Sequence, residues 1–216
     1  GNFFTIRDVL ASGHVRHPEV LRYFLLGSHY RGPINYSLAQ IEQADAALGR
    51  LYTALRDLPV PPVHVPPVNA ALIAPESDAA SKNASKAWQQ FHAAMDDDFN
   101  TPEALAVLQG LAGEINRARD AHDQVGAIKA AEDMRAIGAV LGILLLPADA
   151  WFKASKSASS ESSDWDDARI EAAINERHEA RKAKNFKRSD EIRDELAAAG
   201  IVLEDKPGGV TVWRRA

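Results

Sequence analysis

The sequence predicts a mainly α protein: an antiparallel helical bundle followed by a small α+β module of two helices and a β-hairpin. Three observations predict it. Apolar residues recur at alternating spacings of three and four, the mark of helices that bury one face, and the longest such run is Ile41, Ala44, Leu48, Leu51, Leu55 and Leu58. A Ser-rich tract, "KASKSASSESSD" at residues 153–164, has too little apolar surface to order itself and divides the chain. Only after it do short β-prone runs, "IVLED" and "VTVWRR", flank a turn in "KPGG".

Each element follows in order. Thr5 with Asp8 three positions later forms a capping-box pattern for a short helix that stops near Gly13. "HPEVLRYFLLGSHY" starts a second helix, with Pro18 suited to its first turn and Val20, Leu21, Phe24 and Leu25 as its apolar face. "RGPIN" breaks it. A long helix runs from Ser37, with Gln40 three positions on, toward Leu58. The Pro-clustered stretch that follows cannot continue a helix and reads as an exposed connection. Helical pattern resumes from Lys86 to Met95, pauses at "DDDFN", and restarts with Pro102 just inside the next helix, whose buried stripe is Leu105, Leu108, Leu111 and Ile115. A further helix from about Gln124 to Leu145 carries Val125, Ile128, Ile137, Leu141 and Leu144 on one side. Four long helices suffice to close one antiparallel bundle. After the Ser-rich tract, two helices end at Gly200 and lead into the hairpin. The expected domains are residues 1–36, a bundle over 37–150, a linker over 151–166 and the small module over 167–216.

Composition narrows the function. The chain has 216 residues, 46% of them hydrophobic, enough for a sizeable core. A formal net charge of −5 excludes a whole-chain polycation, so any nucleic-acid site is local. With no Cys, disulfides and thiolate ligands are excluded, which fits a reducing compartment. No apolar run reaches the roughly 20 residues of a membrane span, and the chain is read as cytoplasmic.

No catalytic constellation emerges: there is no Gly-rich phosphate loop, no pair of His at metal-ligand spacing and no Cys nucleophile. His14 and His17 read as solvent-exposed polar residues at a helix break. Asp96, Asp97 and Asp98 fit a hard cation, but they fit better as acids that cap the following helix and complement its dipole. The basic segment is more informative. Between Arg177 and Arg193 there are seven basic residues against three acidic ones, a net of +4 in an acidic chain. Phe186 lies among them, so a ring that could stack on an unpaired base sits beside cations that could bind its phosphates. A solvated helix face and a core Phe186 account for the same pattern.

Six blocks, in order and spanning nearly the whole chain, carry a resemblance: "GNFFTIRDVL", "VLRYFLLGSHYRGPINYS", "AALGRLYTALR", "MDDDFNTPEALAVL", "EARKAKNFKRSDEIRDELAAAGIVLED" and "VTVWRR". The chain is similar to the C-terminal half of bacterial cysteinyl-tRNA synthetases, which are class I aminoacyl-tRNA synthetases. The resemblance implies that "GNFFTIRDVL" follows directly on the KMSKS loop and that the catalytic half lies outside this chain. It implies ATP and zinc as cofactors of that missing half, none in this chain, and no catalytic or metal residue here. Residues up to about Tyr36 resemble the stem-contact fold, those from Ser37 to about Leu146 the bundle of the class I anticodon-binding type, and the last 50 or so the anticodon-binding module.

The implied partners are a tRNA with anticodon GCA and, for the whole enzyme, cysteine and ATP; the family is usually monomeric. Arg181, Asp190, Arg193 and Asp205 match family positions that contact anticodon bases, and Phe186 matches a position where the family often has Trp. Arg donates in a fork to guanine, and carboxylates accept from exocyclic amines. Asp190 and Arg193, three apart, could instead pair with each other, and Trp213, which also matches, could anchor the module's core. Two other readings stand beside this one: a helical RNA- or protein-interaction module, and the related cysteine ligase of mycothiol synthesis.

Overall fold

A computed structural model describes residues 5–62, 85–154, 165–206 and 209–215. The chain divides into two compact units, Gly1–Trp151 and Phe152–Ala216. Most of the Pro-clustered connection and of the Ser-rich tract lies outside the described residues.

The first unit opens with α1 (Ile6–Ala11), closed by the expected capping box: Thr5 Oγ1 accepts from the Asp8 amide at 3.1 Å and Asp8 Oδ2 accepts from the Thr5 amide at 2.9 Å. Helix α2 (Pro18–Leu26) is capped by His17, whose Nδ1 accepts from the Glu19 amide at 3.3 Å. His17 is therefore a helix cap rather than a solvated residue. Glu19, Val20, Leu21 and Tyr23 are buried on α2, whereas Leu25, expected on that face, is exposed. Two positions beyond Tyr23, it points away from the core.

Ser37 caps α3 (Leu38–Leu55), and Ile41, Ala44, Leu48, Leu51 and Leu55 are all buried. The helix stops short of Leu58 because Asp57 turns left-handed, with φ 62°. Helices α4 (Lys86–Asp96), α5 (Thr101–Asp120) and α6 (Gln124–Val140) complete the bundle, with α5 at its centre against α2, α3, α4 and α6. The stripe Leu105, Leu108, Leu111 and Ile115 faces these neighbours.

Helix α6 ends five residues earlier than the sequence suggests, since Gly142 and Leu144 adopt φ 72° and 60° and fold the chain back. A Cβ on Gly138 would lie 2.8 Å from Leu144 Cδ1 and 3.1 Å from the Ile143 carbonyl oxygen, so the returning segment packs closely over this glycine. Val125 is 78% exposed, and the buried face of α6 is formed by Ala127, Ala130, Ala131, Met134 and Ile137. A short helix, α7 (Ala148–Lys153), brings Trp151 onto Tyr52, stacked at 4.5 Å and 11°.

A buried polar network underlies that stack. Glu19 Oε2 accepts from Tyr52 Oη at 2.7 Å and from the Leu144 amide at 2.9 Å, and Oε1 accepts from the Leu145 amide at 3.0 Å. Arg135 Nη1 donates to the carbonyls of Leu144 and Leu146 at 2.5 and 2.7 Å. Burial, and then the Glu19 charge, push the Tyr52 hydroxyl far above its usual range, so it stays protonated and donates.

The second unit comprises α8 (Asp167–Lys182), α9 (Phe186–Ala198), β1 (Ile201–Lys206) and β2 (Val210–Arg215). Asp166 caps α8 and Asn185 caps α9, each side chain accepting an amide three residues on. Gly200, with φ 74°, ends α9 in the left-handed turn that favours glycine. The strands pair antiparallel, with Leu203 opposite Trp213 and Asp205 opposite Thr211. Ile170, Ile174, Ile192, Leu196, Ile201 and Trp213 form the core, which decides for Trp213 as an anchor of the module. No described helix in either unit is long and apolar enough to cross a membrane.

Candidate nucleic-acid interface

Helix α8 places Ile170, Ile174 and Arg177 at spacings of four and three on its buried face, so a charged residue takes a core position and is only 1% exposed. A buried guanidinium requires a partner, and the hairpin supplies it. Arg177 Nη1 and Nη2 donate to Asp205 Oδ1 and Oδ2 at 3.0 and 2.9 Å, a planar fork onto a carboxylate. Thr211, opposite Asp205 in the ladder, donates its hydroxyl to Oδ1 at 2.6 Å. Arg181, one turn beyond Arg177, donates to Oδ2 at 3.2 Å. Four donors thus fill the acceptor sites of one carboxylate. Because the Thr211 proton is given to Asp205, His178 Nε2, 2.8 Å from Thr211 Oγ1, is the donor of that pair.

The Arg177 fork, followed by Thr211, holds the Asp205 carboxyl well below the usual carboxylate range. A depressed folded-state pKa contributes stability in full above the unfolded value, about 3.9, and that stability is lost as pH falls toward the folded one. Thermal melts from pH 6 down to pH 2 test this: the Asp205→Asn protein is expected to be less stable than the parent at pH 6, with the gap closing at the acid end.

Arg181, Lys182, Lys184, Phe186, Asp190 and Arg193 lie at the end of the unit where α8 turns into α9, or along α9 from there. Phe186, Asp190 and Arg193, at spacings of four and three, share one face of α9. The adjoining stripe, Ser189, Ile192 and Leu196, is buried. The Phe186 ring is 63% exposed, so it is not a core residue. Asp190 and Arg193 are exposed and make no side-chain hydrogen bond or ion pair, with each other or otherwise, among the described residues.

The net +4 of this segment is distributed unevenly. Arg177 and Arg181 are held by Asp205, Lys182 pairs with Glu179 at 2.6 Å, and Arg188 lies among Glu176, Glu191 and Glu195 at 2.9, 3.5 and 3.1 Å. Among the described residues, the side chains of Lys184, Lys187 and Arg193 remain unpaired, on both sides of the Phe186 ring in sequence. The first turn of α9 contains no acid, which leaves its positive dipole end unopposed.

The sequence reading singled out Arg181, Phe186, Asp190, Arg193 and Asp205, and the structure joins Arg181 to Asp205 and aligns the other three. It missed Arg177 and Thr211 as partners of Asp205, and His178 as the partner of Thr211. The only signal was Arg177 continuing the stripe of Ile170 and Ile174. The acids Asp96, Asp97 and Asp98 do not cap α5: Asn100 does, accepting from the Glu103 amide at 3.3 Å. Asp98 instead accepts from Tyr30 Oη at 2.8 Å and pairs with Arg31 at 3.1 Å. No group of three potential metal ligands occurs among the described residues.

Comparison with known families first defines the class. Residues 90–145, from α4 to the end of the α6 turn, match the DALR domain, and residues 167–214 match the cysteinyl-tRNA ligase anticodon binding domain. A helical bundle that matches a DALR domain, followed by a module that matches an anticodon binding domain, is the type of region defined. The whole chain is 47% identical to a cysteine–tRNA ligase of Alkalilimnicola ehrlichii, 48% to one of Thioalkalivibrio sulfidiphilus and 47% to one of Halorhodospira halophila. These matches cover 100% of the chain and 41%, 41% and 40% of the relatives, so the chain spans about two-fifths of their length. The chain is thus similar along its whole length to the C-terminal region of cysteine–tRNA ligases, the region that carries these two domains.

Proposed function

We propose that this chain binds tRNA on behalf of a cysteine–tRNA ligase, and that its second unit reads the anticodon GCA. The observation that carries the reading is the face of α9 on which an exposed ring, an unpaired carboxylate and an unpaired guanidinium stand in line. At about 1.5 Å rise per residue they extend over roughly 10 Å, a span suited to two or three splayed bases. Phe186 stacks on one base, Asp190 accepts from an exocyclic amine, and Arg193 donates to a ring nitrogen or carbonyl. Lys184 and Lys187 neutralise the adjoining phosphates.

On this reading the whole enzyme uses ATP to join cysteine to its tRNA, acts as a cytoplasmic monomer, and holds ATP and zinc on residues beyond this chain. The chain, with no Cys, offers no thiolate for the metal.

The roles separate experimentally. Arg193→Ala is expected to weaken binding of a GCA transcript by about 5–150-fold, the range for one bidentate base contact, and to reduce discrimination at a single anticodon position. Lys187→Ala is expected to weaken all transcripts alike and to lower the slope of log affinity against log salt by about 0.7–0.9. Equal behaviour of the two variants in a filter-binding titration would remove the base-reading role of Arg193.

A further inference from the structure

We infer that Arg177, a buried residue outside the RNA-facing set, is a positioning residue for anticodon recognition: with Thr211 it fixes the Asp205 carboxylate and, through it, the Arg181 guanidinium. This rests on the proposed reading of the unit as an anticodon binder.

Arg177 is almost wholly enclosed, yet both its terminal nitrogens are spent on one partially exposed carboxylate. The fork occupies one acceptor site on each oxygen, and Thr211 occupies the second site of Oδ1. That leaves the outer site of Oδ2, which Arg181 fills from a position where its own side chain is 47% exposed. The three internal donors therefore lock the carboxylate plane, and Arg181 is the one exchangeable partner.

A base edge that presents an amine beside a carbonyl or ring nitrogen can replace that contact. Its amine donates to Oδ2 and its acceptor receives from Arg181, so no carboxylate site is left empty and no donor unpaired. Discrimination follows, because an edge with the amine missing leaves a charged acceptor unmet. Lys in place of Arg177 keeps the charge but loses the planar fork, so the carboxylate is free to rotate away from that geometry.

The test uses the 216-residue chain and anticodon stem-loop RNAs carrying GCA or a single-base change at each of its three positions. Arg177→Lys is expected to lose about tenfold in discrimination at one position, the same position affected by Asp205→Asn, while discrimination at the other two is retained. Thr211→Val, which empties no buried position, is expected to show a smaller loss at that same position and so carries the test should Arg177→Lys unfold. Even loss at all three positions, or unchanged discrimination in both variants, overturns the positioning role while leaving anticodon reading intact. A parent chain that binds every stem-loop equally overturns both.

Discussion

Replacing Glu19 by Ala is expected to lower the stability of the first unit by about 3–5 kcal/mol, the range for removing one partner of a buried charged network. The side chain is 3% exposed, and its two oxygens accept from Tyr52 and from the amides of Leu144 and Leu145. Removal leaves two buried donors and one partly buried donor without an acceptor and takes from Arg135 a negative charge that favours its ionised form. It also releases the returning segment after α6, which no other carboxylate holds among the described residues. Glu19→Gln keeps one oxygen as an acceptor and is expected to cost roughly half as much. Denaturant unfolding, followed by the midpoint at constant slope, measures both; a Glu19→Ala cost under about 1 kcal/mol would show that the network is peripheral to stability.

The second large effect is expected at Trp213. It is the largest member of a six-residue core in which the other five are Ile170, Ile174, Ile192, Leu196 and Ile201. Trp→Ala in a core costs about 3–5 kcal/mol, comparable with the whole stability that a core of so small a unit supplies. The Trp213→Ala chain is therefore expected to lose the fold of the second unit and, with it, the proposed anticodon binding, while the bundle keeps its helicity and its own unfolding transition. The indole N–H has no partner among the described residues. Trp213→Phe thus removes an unmet donor along with some packing and is expected to cost less than half as much. Two-step melts with only the second step retained in Trp213→Ala establish the independence of the units.

What the sequence made legible follows from the range of the forces involved. Helices α3 and α5 declare themselves because their large aliphatic residues form one repeating buried stripe, from Ile41 to Leu55 and from Leu105 to Ile115. Caps are local, and Thr5, Ser37 and Pro18 stand where the pattern puts them. Leu25 and Val125 misled because apolar residues at helix ends are free to face solvent, and the six residues of α7 are too few to show a period. The network of Glu19 with the Leu144 and Leu145 amides joins positions about 125 apart in sequence and leaves no local trace. In the candidate site, the alignment of Phe186, Asp190 and Arg193 was implicit in their spacing. The saturation of Asp205 was not, because it depends on hairpin register, which brings Thr211 opposite it, and on a buried arginine that reads in the sequence as one more surface cation.

The most direct test of the account is the affinity of the unsubstituted chain, at fixed salt, for a cysteine tRNA transcript bearing GCA against transcripts altered at each anticodon base. The account predicts a loss of about 1–3 kcal/mol per altered base, the cost of one mismatched specific contact. Equal affinity for all transcripts, weakening together as salt rises, would contradict it and leave the second unit as a phosphate-binding surface without base recognition.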